Sequence, residues 1–167
     1  MNDVLRAARE RLENVTPLKK DCGRVCGAAC CRSMEGEETG MLLFPGEETM
    51  YRHLPGWRIR TGEAGNVAIC PGHCERSERP LSCRMFPLLP LLRGEEIRTV
   101  MDLRAGAVCP LARQGMNALD PAFRQAVAEA GKMLASDGET AGFLRRITEE
   151  QDEWKALKQK WRREDDL

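Results

Sequence analysis

The chain has 167 residues, and its 26 basic and 26 acidic side chains give a formal net charge of zero. That balance supplies no global field to draw in nucleic acid or an anionic membrane, and aromatic residues at 5% make no base-stacking platform. Eight cysteines dominate the composition, in a chain long enough to bury a core without disulfide staples.

Residues 2–15 read as a helix: Val4, Leu5, Ala8, Leu12 and Val15 recur at three-to-four-residue spacing, and Pro17 forbids continuation. This start is charged and amphipathic, unlike an apolar leader. The most apolar run, residues 85–92, is broken by Pro87 and Pro90 and falls short of the roughly 20 residues a spanning helix needs. A soluble, cytoplasmic protein with reduced thiols is therefore expected, which disfavours a disulfide framework.

A thiol-rich stretch follows, with Gly23 and Gly27 each placed directly after a cysteine. A polar insert at 35–40 leads into MLLFPGEE, read as a short strand turning into a helix over 49–54. Residues 57–61 and 66–69 read as short strands around a turn at 62–65. Residues 70–90 are punctuated by proline and glycine and read as a loop, whereas 96–103 reads as a paired strand. Further on, Asp120-Pro121 is a helix cap followed by proline at the first helical position. Phe123, Val127, Ala130 and Leu134 line one face of that helix, which should end near Ser136. A longer helix over 140–163 carries Leu144, Ile147, Trp154, Leu157 and Trp161 as its apolar stripe. Such a stripe usually packs in a core or an interface. The expected fold is α+β, mostly helical with short strands. A loop-rich cysteine-cluster domain would span residues 1–115 and a C-terminal helical hairpin packed on it residues 116–167.

Four thiols, Cys22, Cys26, Cys30 and Cys31, fall within ten positions; Cys70, Cys74, Cys83 and Cys109 complete the set. Cys22, Cys26 and Cys30 are four apart. On a helix they would share a face, and in a loop they would curl around a point. The two glycines favour the loop, where backbone N–H groups can approach sulfur closely. Cys30 and Cys31 are neighbours and can serve two centres or two sides of one cluster. Four thiolates on zinc or on a four-iron cluster leave a site charge near −2, which nearby cations relieve. Arg24, Arg32, Arg76, Arg79 and Arg84 flank the cysteines and are either such cations or solvated loop residues. His73 lies inside the Cys70–Cys74 loop as a spare donor that eight thiols make unnecessary, and His53 reads as a surface or packing residue.

Several templates fail. No Cys-x2-Cys pair exists for a zinc ribbon or a thioredoxin-type redox motif, and ferredoxin spacing is absent. There is no glycine-rich phosphate cradle and no nucleophile motif. The succession of Cys30-Cys31, Arg79-Pro80, Cys83-Arg84, Phe86-Pro87 and Cys109-Pro110 resembles the YkgJ-type cysteine-cluster family of zinc- or iron-chelating domains. The resemblance spans about half the chain and implies metal binding through the cysteines. A 4Fe-4S cluster is slightly preferred over zinc, because the irregular spacing suits a cluster. The alternatives are a cluster-dependent redox or protein-modifying enzyme component, and a zinc-stabilised adaptor docking a protein partner through the C-terminal helices.

Overall fold

The computed structural model describes residues 2–32, 38, 40–72 and 74–165. Most of the polar insert at 35–40 therefore lies outside the described residues.

Helix α1 (Asp3–Arg11) starts where the Asn2 side chain accepts the Leu5 N–H at 2.9 Å, and it buries Leu5 and Ala8. It stops short of the expected residue 15. The carbonyls of Leu12, Glu13 and Val15, which a longer helix would present, accept instead from the Arg76 guanidinium. The next helix, α2 (Cys22–Cys26), is a short one within the thiol-rich stretch.

Three short strands form one antiparallel sheet in the order β1 (Gly40–Leu42), β3 (Gly65–Ile69), β2 (Arg58–Gly62). The hairpin β2–β3 matches the two expected strands, and Gly65, at φ 122°, occupies backbone that L side chains rarely adopt. The expected helix over 49–54 is only a 3-10 turn, Glu47–Met50, followed by irregular turns. Gly46 is left-handed at one end, and at the other Pro55 disfavours helical backbone at Leu54, so no run of helix fits between them. Leu43, Tyr51, Trp57 and Ala68 make a small apolar cluster beside this sheet.

Residues 70–90 are not all loop. Helix α3 (Leu81–Met85) and strand β4 (Leu88–Arg93) interrupt them, and β4 pairs with β5 (Glu96–Met101) in a separate two-stranded sheet. Pro90 sits inside β4 opposite Thr99, at a position whose nitrogen the ladder does not need. Two residues on, the Leu92 N–H points away from β5 and donates to the Thr148 hydroxyl at 3.0 Å. By the same alternation Pro90 leaves no orphaned donor, so proline is harmless there.

A short helix, α4 (Ala105–Val108), precedes Cys109. Helix α5 (Pro121–Ala135) begins as expected, with the Asp120 carboxylate accepting the Ala122 N–H at 2.8 Å, and buries Phe123, Val127, Ala130 and Leu134. It lies on α1 and on both strands of the second sheet, and helix α6 (Gly138–Asp165) follows it. One large core joins Leu5 and Leu12 to Leu88, Leu91, Phe123 and Leu144, so the C-terminal helices share their packing with the rest of the chain. Gly131 marks the tightest seam. A Cβ there would lie 2.6 Å from the Pro90 Cβ and 3.0 Å from the Ile97 Cγ2. Gly131→Ala should therefore destabilise by about 1–3 kcal/mol, despite alanine's better helix propensity. A chemical-denaturation midpoint equal to or above wild type would refute this contact.

The apolar stripe of α6 is only half used. Leu144 and Ile147 are buried, but Trp154, Leu157 and Trp161 are 47%, 51% and 61% exposed. Of the stripe expected in a core or an interface, Leu144 and Ile147 meet the core, and beyond Gln151 the helix outruns it. No described helix is long and apolar enough to cross a membrane.

Candidate metal centre

All eight cysteines line the same cavity, of about 400 Å³. They arrive from five places. Cys22 and Cys26 open and close α2, while Cys30 and Cys31 sit in a 3-10 turn, Ala29–Cys31. Cys70 and Cys74 flank the loop after β3, Cys83 rides on α3, and Cys109 ends α4. Met41, Trp57, Phe86 and Val108 supply part of the apolar lining.

Local chemistry explains the first wall. The Asp21 carboxylate accepts the Gly23 N–H at 3.1 Å and starts α2, so Cys22 and Cys26 stand one helical turn apart on one face. Gly27, at φ 63°, ends the helix, and Ala28, at φ 54°, extends the left-handed reversal. Only after that reversal do Cys30 and Cys31 come back to the cavity. The reversal is held by Arg32, whose Nε and Nη2 donate to the Gly27 carbonyl at 3.1 and 2.9 Å. The expected loop is thus a helical turn plus a reversal. The expected role of the two glycines is also corrected. The Gly23 amide is taken by Asp21 and the Gly27 amide by the Gly23 carbonyl, leaving neither for sulfur. The Gly72 amide, by contrast, does approach a thiol, that of Cys70.

The five flanking arginines separate by task. Arg76 closes α1, Arg32 holds the reversal, and Arg24 is exposed. Arg84, 4% exposed, donates to the carbonyls of Arg76, Ser77 and Arg79 and to Glu13. It is a backbone clamp that fixes the segment carrying Cys83. Arg79 is different: it lines the cavity, and among the described residues its guanidinium makes no hydrogen bond to an oxygen. Its charge lies beside Cys74, Asp21 and Cys22. Of the five, Arg79 is the cation that serves the thiols.

The thiols respond to burial and to one another. Burial pushes Cys22 and Cys70 up, and burial plus the Cys70 charge pushes Cys74 up to about 11. Cys83 is held well above the ordinary thiol range by burial and by the charges of Cys31 and Cys74. The Cys30 and Cys31 sulfurs are 3.9 Å apart, and their mutual hydrogen bond, with the Arg79 charge nearby, draws Cys31 down while Cys30 is pushed up. A cavity of this kind resists filling with thiolates unless a cation enters.

Among the described residues, no three cysteine, histidine or acidic side chains converge tightly enough to hold one ion. The donors ring the cavity rather than meeting at a point. His73 lies outside the described residues, and His53 is exposed.

Sequence reasoning missed the support beneath Cys83. Glu47, fully buried, accepts from Arg9 at 2.7 Å, from the Leu81 N–H at 2.7 Å and from the Phe44 N–H at 3.2 Å. Arg9 in turn donates to the Ser77 carbonyl, and the Tyr51 hydroxyl donates to that of Glu78. One signal was present. Arg9 sits four residues after Leu5 and three before Leu12, on the apolar face of α1, where a charge needs a buried partner.

No family model, no curated protein and no solved structure matches this chain.

Proposed function

We propose that this chain is a cytoplasmic metal-binding protein whose cysteines hold an iron–sulfur cluster or zinc. The observation that carries the reading is the gathering of Cys22, Cys26, Cys30, Cys31, Cys70, Cys74, Cys83 and Cys109 around one cavity from five separate segments. Thiols placed so would be an oxidation hazard without a ligand to bind them. The cavity also favours a cluster over a lone ion. A zinc held at about 2.3 Å by four sulfurs would leave most of 400 Å³ unfilled. The bound group would supply the positive charge that the buried thiols require. The likeness to YkgJ-type proteins rests on the same residues, with Arg84 as clamp and Arg79 as the facing cation.

The test is metal and sulfide analysis with an absorption spectrum, on protein purified without oxygen. Iron with matching sulfide and a broad band near roughly 400 nm is the expected result. Cys30→Ala or Cys31→Ala should lower the bound metal sharply, and His73→Ala should leave it unchanged. Protein free of iron and zinc after reconstitution would end this reading.

A second reading is favoured by the exposed stripe of α6: the chain pairs with a second copy of itself there. Acidic residues Glu149, Glu150, Asp152 and Glu153 precede the basic Lys155, Lys158 and Lys160. An antiparallel copy lays the acids of one helix against the lysines of the other and covers Trp154, Leu157 and Trp161. Light scattering should give a dimer that Trp154→Ala with Trp161→Ala converts to a monomer. A wild-type monomer at tens of micromolar rules the pairing out.

A further inference from the structure

Cys30 is the one exposed thiol of the eight, and its neighbour Cys31 is half-buried at the cavity wall. Their sulfurs lie 3.9 Å apart, so both side chains leave the 3-10 turn on the same side. The turn that presents them is reached through strained backbone and then locked. Ala28, which has a side chain, sits at φ 54° and ψ 40°, a left-handed conformation that the surroundings must impose. The Cys31 N–H donates to the Ala28 carbonyl at 2.8 Å, Arg32 closes the same stretch onto the Gly27 carbonyl, and α4 packs against the turn. Strained residues of this kind gather at functional sites.

Two thiols so placed, one of them open to solvent, suit stepwise oxidation by a hydroperoxide. Cys30 is the thiol the oxidant reaches. Its thiolate attacks a peroxide oxygen, the O–O bond breaks, and Cys30 becomes a sulfenic acid as water or an alcohol leaves. The Cys31 sulfur then attacks the Cys30 sulfur. The S–O bond breaks, the departing hydroxide takes the Cys31 proton, and a disulfide and water result. The sulfurs need close only by about 2 Å to reach bonding distance. Cys26, by contrast, lies on the far side of the Gly27-Ala28 reversal. The alpha carbons of neighbouring residues are about 3.8 Å apart, less than the roughly 4.4–6.8 Å that disulfides ordinarily span. The closed ring is therefore strained and readily reopened by thiols, which suits a compartment that keeps most cysteines reduced.

We propose that Cys30 and Cys31 form a reversible disulfide, made by a hydroperoxide and reopened by a thiol reductant, that withdraws two donors from the cavity. The withdrawal rests on the metal-binding reading above; the disulfide does not. The pair answers the oxidation hazard that eight gathered thiols create, because it traps the sulfenic acid before further oxidation to the irreversible sulfinic acid.

For the test, reduced, metal-free wild type is treated with a stoichiometric amount of hydrogen peroxide, its remaining thiols are blocked, and tryptic peptides are mapped by mass spectrometry. Peptide 25–32 should carry a disulfide between Cys30 and Cys31, with Cys26 blocked, and dithiothreitol should return all eight thiols. Cys31→Ser should leave Cys30 as a sulfenic acid that dimedone traps, and Cys30→Ser should slow thiol loss by about tenfold. A first disulfide joining Cys70 to Cys74 or Cys22 to Cys26, Cys30 driven to sulfinic acid in the wild type, or eight thiols left intact would overturn the proposal. The wild-type map decides even where a variant fails to fold. Metal uptake, from zinc or from iron with sulfide, separates the two readings: oxidised protein should bind less than reduced. Equal uptake would overturn the withdrawal, whereas no uptake in either state would overturn metal binding and leave the disulfide standing.

Discussion

Glu47→Ala is expected to destabilise the protein by about 3–5 kcal/mol, a large part of the roughly 5–15 kcal/mol that holds a typical domain folded. The carboxylate is fully buried and joins three separate pieces of chain: Arg9 on α1, Phe44 after β1, and Leu81 at the start of α3. Removing it strands a guanidinium that is itself buried, together with two backbone donors, and each stranded donor carries a desolvation penalty of about 1–3 kcal/mol. Burial alone pushes the Glu47 carboxyl up, while Arg9 and the two amides oppose that shift. The charged pair is therefore a device that works only when complete. Glu47→Gln keeps an acceptor for the amides and should lose less. Replacing both partners, Arg9→Met with Glu47→Leu, should recover part of the loss, because no charge is then left unpaired. Urea unfolding with unchanged slope measures all three. A midpoint shift equivalent to less than 1 kcal/mol for Glu47→Ala would show that Arg9 finds another partner. Because Leu81 begins the helix that carries Cys83, this loss should also lower bound metal.

Where the sequence was legible, periodicity was the reason. Helix α5 follows from its cap, its proline and a four-residue apolar repeat, and the hairpin β2–β3 from two short runs around glycines. Local signals could not reveal relations between distant segments. Arg76 shortens α1 from more than 60 residues away, and nothing in residues 12–15 foretells it. Pro90 reads as a strand breaker until β4 is known to pair on one side only. Trp154 and Leu144 have the same spacing signal, yet only Leu144 has a core to meet, since helix length outruns the body it packs on. The site divides in the same way. Cysteine spacing picked out the thiols that line the cavity, but five flanking arginines looked alike in sequence. Only the fold separates Arg84, a clamp on carbonyls, from Arg79, which faces sulfur.

Metal affinity should fall steeply as pH is lowered, and metal uptake should release protons. The sign follows from the thiols of the empty cavity. Cys70, Cys74 and Cys83 are all pushed up, Cys74 to about 11, so at neutral pH each carries a proton that a metal must displace. Cys31 is drawn down by the hydrogen bond from Cys30 and by Arg79, so it gives up a smaller share. For a bound group that takes three such protonated thiols, about three protons leave, and each contributes roughly a tenfold loss of affinity per unit of pH. Between about pH 8 and 6 the apparent affinity should drop by roughly a thousandfold per unit. Arg79→Gln removes the charge that favours the thiolates, so it should weaken binding further without changing the fold of α5 or α6. Calorimetry of zinc binding in buffers of different ionisation heat counts the protons, and a competing chelator gives the affinity at each pH. An affinity that is flat across this range would mean that the ligands are already thiolates in the empty protein. The cavity would then owe its charge balance to the protein alone rather than to the metal.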